Sequence, residues 1–171
     1  MWKKGINYLD EPYKTLISKL LETLIEFFGD RLVSLVVYGS VARGDTRSDS
    51  DIDLLVIAKE LPRSRLARQD LFMKVEEHLA KILDSLRAQG IHVDFSPILR
   101  TPDEASRITP LYLDMVEDAL IVYDRDEFFE TVLRRLKNRL DELGAERIRV
   151  GKKWYWRLKK DYKFGEVIKI E

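Results

Sequence analysis

The chain has 171 residues, 45% of them hydrophobic and 35% charged, which fits one globular domain with a true core and a small appendage and excludes a disordered chain. Thirty Lys and Arg offset thirty Asp and Glu, which argues against a protein that coats nucleic acid or membrane with its whole surface. There is no cysteine, so disulfides, thiolate nucleophiles and Cys-bound metals are excluded.

No stretch reaches the roughly 18 apolar residues of a membrane span. The N-terminal Met-Trp-Lys-Lys-Gly lacks the apolar run of a signal peptide. The expectation is a cytoplasmic protein without membrane contact. Only Asn7, Gln69, Gln89 and Asn138 carry side-chain amides, a leaning toward a thermophilic source. His78 and His92 lack the spacing of a paired metal motif. His78 has no expected role, and His92 reads as a structural histidine.

Residues 11–28 place apolar side chains at 16, 17, 20, 21, 24, 25 and 28, the period of an amphipathic helix. Asp10 suits its N-cap, Pro12 its first turn and Gly29 its end. Residues 32–38 are β-branched and apolar and read as a buried strand, and residues 52–58 as a second. Between them, residues 39–51 are turn-formers, a loop with room for one helical turn. A long helix is expected from Pro62–Ser64 to about Ala88, closed by Gly90, with a stripe at 71, 75, 79, 82 and 86.

Residues 91–98 alternate as a third strand would, with Pro97 near its end or on a sheet edge. Residues 103–118 look helical, interrupted by Pro110. Residues 119–123 form a short strand, and residues 126–143 a helix capped by Gly144. The fold class is α/β (α+β), a mixed β-sheet flanked by helices. The division expected is a domain over residues 1–146 and a basic, aromatic appendage over 147–171, packed on the same domain. The appendage holds nine basic and three acidic residues, a net of +6, leaving −6 for the rest. Ile148–Val150 and Val167–Ile170 are candidates for a small ribbon with Trp154, Trp156 and Tyr162 packed onto the domain. Two other readings stay open: an aromatic–basic surface for single-stranded nucleic acid, or a dock for an acidic partner protein.

The informative segment lies between the first two strands. It reads Gly39-Ser40, ten residues, then Asp51-x-Asp53. Asp51 and Asp53 are two apart at a strand start, so they face the same way. Adjacent carboxylates repel unless a cation or proton lies between them, and a hard divalent ion suits oxygen ligands and borrows more from substrate phosphates. Glycine lets a phosphate approach the backbone, and a serine hydroxyl donates to it. Arg43, Arg47 and Ser50 are further candidates for phosphate; the bland alternative for Arg43 is a salt bridge to Asp45 or Asp49, both ordinary turn residues. Asp94, between Val93 and Phe95 in the third strand, is costly there unless paired or metal-bound; otherwise it faces solvent or an arginine. Three carboxylates would suffice for a two-metal phosphoryl or nucleotidyl transfer site.

Gly39-Ser40-x10-Asp51-x-Asp53, with Asp94 downstream, resembles the DNA polymerase β-like nucleotidyltransferase superfamily. The fuller string Gly-Ser-x-Ala-Arg-Gly-x5-Ser-Asp-Ile-Asp-Leu-Leu-Val is similar to the minimal nucleotidyltransferases of bacteria and archaea. The resemblance covers roughly residues 11–98. It implies a polymerase β palm-like fold, Mg²⁺ at Asp51, Asp53 and Asp94 in a two-metal site, and Asp94 as general base. It also implies a nucleoside triphosphate, ATP by this resemblance alone, seated by Gly39 and Ser40 with help from Arg43 and Ser50. The family includes aminoglycoside-modifying enzymes and antitoxins that AMPylate a HEPN-type toxin, which makes a protein hydroxyl the expected acceptor. A non-catalytic antitoxin that occludes its partner, and an RNA-directed nucleotide-adding enzyme that uses the tail, are the alternatives. A homo-oligomer is compatible with the charge split between body and tail.

Overall fold

The computed structural model describes residues 1–47, 50–151 and 153–171. Five strands form a mixed sheet: β1 (Lys3–Lys4), β2 (Leu32–Tyr38), β3 (Ile52–Ala58), β4 (Phe95–Arg100) and β5 (Leu120–Asp124), in the order β1-β5-β2-β3-β4. β2 runs antiparallel to both β3 and β5, whereas β3–β4 and β1–β5 are parallel. Central strand β2 is buried along its whole length, as expected of a strand covered on both faces.

The strands alternate their side chains between two cores. Leu35, Val37, Ile52, Leu54 and Val56 pack with helix α1 (Tyr13–Phe28), α3 (Arg65–Glu77) and α4 (Ala80–Ala88). Val36, Tyr38, Leu55 and Ile57 face α6 (Leu111–Asp118) and α7 (Phe128–Leu143). Helix α2 (Gly39–Arg43) follows β2 directly, and α5 (Pro102–Ala105) follows β4. Among the described residues no helix is long and apolar enough to cross a membrane.

Several expectations need correction. The long helix is two, because His78 and Leu79 take i→i+3 bonds to Val75 and Glu76 and swing Leu79 fully into the core. The third strand starts at Phe95 rather than 91 and runs past Pro97, which is tolerated because β4 is a sheet edge. Asp94 therefore precedes the strand. The ribbon pairs β6 (Glu146–Val150) with β7 (Lys153–Arg157), not with Val167–Ile170. In β7, half-buried Trp154 and Trp156 alternate with exposed neighbours, while Tyr162 stays exposed. β1 was not foreseen. It is two lysines long, and one of them, Lys4, pairs with the buried carboxylate of Glu130. The first helix takes Pro12, not Asp10, at its N-cap, and ends at Gly29 as expected.

Candidate active site

Tyr38 and Asp53 are register partners on β2 and β3, and the chain turns into α2 immediately after Tyr38. The turn requires Gly39. Its φ is +71°, and a Cβ there would lie 2.1 Å from Asp53 Oδ2, far inside contact distance. The absence of a side chain is what lets the carboxylate lie against the backbone. Ser40 is the second residue of the same helix and is half-buried.

Asp53 is half-buried, shares the face of Leu55 and Ile57, and has no hydrogen bond or ion pair among the described residues. Burial, then the charge of Asp51, pushes its carboxyl above the usual range, and Arg43 opposes this. Asp51 is exposed and immediately precedes β3. The structure thus brings Gly39, Ser40, Asp51 and Asp53 together.

Asp94 stands next to this pair by backbone: its carbonyl accepts from Ile52 N–H at 2.8 Å, and Ile52 pairs with Phe95. Its side chain is exposed, and its charge acts on Glu76 of α3, whose carboxyl is pushed up by burial and by Asp94. The charges that act on Asp53 are those of Asp51 and Arg43. No three His, Asp or Glu side chains among the described residues gather closely enough to hold an ion.

Arg43 Nε lies 3.2 Å from Asp45, and Nη1 lies 3.8 Å from Asp118. Its guanidinium also sits 4.6 Å from the Trp154 ring. In the loop, Ser50 Oγ accepts from Arg47 N–H at 2.8 Å and Ser50 N–H donates to the Arg47 carbonyl. The Arg47 side chain is exposed. Asp49 lies outside the described residues. His92 is exposed.

The donor set suits a hard divalent ion at two of its three expected ligands. Asp51 and Asp53 are oxygen donors, Asp53 has no other partner among the described residues, and the Gly39 gap leaves room beside it. Sequence reading passed over Tyr38, whose phenol is pushed up to about 12 by burial, with the Asp53 charge adding to it and Arg100 opposing. It is a neutral O–H at neutral pH. Its position directly before Gly39 was the available signal. Glu76 was missed, and Trp154 was read as ribbon packing without its contact to Arg43, because nothing local in the sequence ties either to the loop.

The family described as nucleotidyltransferase domain matches residues 17–123. A Methanocaldococcus jannaschii protein named as a protein adenylyltransferase is 34% identical over 147 residues, covering 85% of this chain and 95% of its own. The protein adenylyltransferase MntA of Thermococcus cleftensis is 34% identical over 84 residues, 49% of this chain and 72% of that one. Among solved structures, a tri-AMPylated Shewanella oneidensis HEPN toxin in complex with MNT antitoxin contains a chain similar at a TM-score of 0.42 and 17% identity, with 77% and 92% of the two chains covered. With the family matched over residues 17–123, which take in β2, β3, β4, most of β5 and the Gly39–Asp53 segment, this chain belongs to the nucleotidyltransferase domain family and is a nucleotidyltransferase.

Proposed function

We propose that this chain transfers AMP from ATP to a hydroxyl of another protein. The observation that carries the reading is the half-buried Asp53 carboxylate, without a partner among the described residues, lying against the side-chain-free backbone of Gly39, with Asp51 alongside. An ionised carboxylate kept out of water without a partner costs stability, and the arrangement makes sense as a site filled in use. The names of the adenylyltransferase relatives support protein as acceptor and AMP as the group moved.

In this reading Gly39 N–H and the Ser40 hydroxyl hold the outer phosphates. Ser50, bonded to Arg47, stands in the same loop. Arg43 contributes its positive charge from a distance, since Asp45, Asp118 and Trp154 occupy its guanidinium. Asp51 and Asp53 would hold Mg²⁺, which when bound neutralises phosphate charge and lowers the pKa of a hydroxyl. Asp94, set beside Asp51 where β3 and β4 begin, is the carboxylate we assign to accepting the acceptor's proton. The acceptor oxygen then bonds to the α-phosphorus, the bond to the bridging oxygen breaks, and pyrophosphate leaves. The resemblance to minimal nucleotidyltransferases makes a HEPN-type helical protein the acceptor to try first.

ATP labelled at its α-phosphate, incubated with the chain and such a protein, tests this. Label is expected on the acceptor with the parent chain and at background with Asp53→Asn and with Asp94→Asn. Transfer by Asp94→Asn at the parental rate would remove Asp94 from the mechanism, and transfer by Asp53→Asn would remove the whole site. Neutralisation of the partner by an Asp51/Asp53 double variant would favour occlusion instead.

A further inference from the structure

The family match ends at residue 123, yet the ribbon beyond it reaches back to the site. Trp154 of β7 lies with its ring 4.6 Å from the Arg43 guanidinium and 4.2 Å from that of Arg147 on β6. Its indole N–H donates to Asp114 Oδ1 at 3.2 Å, and Arg147 donates to Asp118 at 2.6 Å. Asp114 and Asp118 are one turn apart on α6, so the ribbon is fastened to that helix by a matched acidic pair. Arg43 reaches the same Asp118 at 3.8 Å. Lys3 Nζ donates to the carbonyl of Ala42 at 3.1 Å, so strand β1 grips the same end of α2. A cavity of about 690 Å³ borders the cluster, lined by Trp2, Lys3, Arg43, Asp118, Arg147 and Trp154 among others.

Helix α2 has five residues, too short to hold its own orientation by helical hydrogen bonding. One end carries Gly39 and Ser40, the other Arg43. A rigid segment of this length turns as a unit, so whatever fixes Arg43 also fixes where Gly39 meets Asp53. We propose that the C-terminal ribbon is a clamp on α2 and that Trp154 is a positioning residue for the transfer reaction, acting through its stack on Arg43. The proposal rests on the nucleotidyl-transfer reading above.

A ring face attracts a guanidinium in a way an aliphatic side chain of similar bulk does not. This separates the clamp from simple packing. Four chains are compared: the parent, Trp154→Phe, Trp154→Leu and Asp118→Asn. Labelled transfer is expected to show kcat lowered about tenfold in Trp154→Leu, with KM for ATP changed no more than about twofold, because the phosphate-holding groups remain while their alignment is lost. Trp154→Phe keeps a ring face and is expected to return kcat to within about threefold of the parent. Asp118→Asn, which leaves the ring in place, is expected to fall between. Hydrogen exchange on the same chains should be faster over residues 39–45 in Trp154→Leu, with residues 146–157 protected as in the parent.

Equal kinetics for Leu and the parent, or an equal fall for Leu and Phe, would overturn the clamp. Unchanged exchange over 39–45 would overturn it as well. If the parent transfers no label, the nucleotidyl-transfer reading fails by itself, and exchange over 39–45 still decides whether Trp154 holds α2.

Discussion

Gly39 is the residue on which the site's geometry turns. Its left-handed φ of +71° alone would cost another residue about 1–2 kcal/mol, and the 2.1 Å approach to Asp53 adds a collision with a half-buried carboxylate. Gly39→Ala is expected to destabilise by about 2 kcal/mol or more. It should also abolish transfer even under conditions where the protein remains folded. Urea unfolding checks the first effect and the labelled-ATP assay the second. An alanine variant that unfolds at the parental midpoint would mean that the backbone at residue 39 relaxes and Asp53 swings away, both without cost. The Gly-Ser and Asp-x-Asp of this site were legible in the sequence because a steric need and a charge need each leave a residue-type signature at fixed spacing. Tyr38 and Glu76 were not: their importance comes from who lies across the strand or on the next helix, which spacing alone does not encode.

At the level of elements, most boundaries followed from local chemistry. β2 and β3 span the residues read from their β-branched runs, Ser64 accepts from Ala67 N–H as the N-cap of α3, and Gly144 ends α7. The failures were tertiary. The 77–80 break, the late start of β4 and the choice of partner for β6 are decided by burial of Leu79, by pairing with β3 and by Trp154 and Trp156. Helix α5 shows a local device with a measurable pH signature. Thr101 and Glu104 form a reciprocal cap, and Glu104 also receives both terminal nitrogens of Arg68, at 2.6 and 2.9 Å. The Arg68 hydrogen bonds, with Thr101 N–H and the nearby Arg charges adding to them, hold the Glu104 carboxyl at about 2, well below its usual 4.5. A depressed carboxylate stabilises the fold fully above its unfolded value and loses that contribution as pH falls from 4.5 toward 2. Because the Glu104 side chain is 39% exposed, screening limits the gain to about 1 kcal/mol, or about 2–4 °C in Tm. Glu104→Gln is therefore expected to melt slightly below the parent at pH 7, with the gap closing as pH drops through that window. Calorimetric melting across pH checks it; a gap that persists at the acid end would assign the loss to packing rather than charge.

Across the whole molecule, the two cores share their strands. Leu35 and Val37 of β2 face α1, while Val36 and Tyr38 face α6 and α7. β3 repeats the pattern with Leu54 and Val56 on one side, Leu55 and Ile57 on the other. A helix layer cannot come off one face without freeing strands that hold the opposite layer, so the five-stranded body should unfold as one unit. The tryptophans make this testable, because Trp2 and Trp156 pack with the α6–α7 core and Trp154 bonds Asp114 on α6. None lies on the α1 side. Leu20, fully buried on α1, is the probe for that distant layer, and truncating it should cost about 2–5 kcal/mol. In Leu20→Ala the urea midpoint read by tryptophan fluorescence is expected to fall together with that read by far-ultraviolet circular dichroism, at an unchanged slope. If the dichroism midpoint falls while fluorescence stays at the parental value, the layers unfold separately. The shared strands would then not couple the α1 side to the face that carries Asp53 and the ribbon.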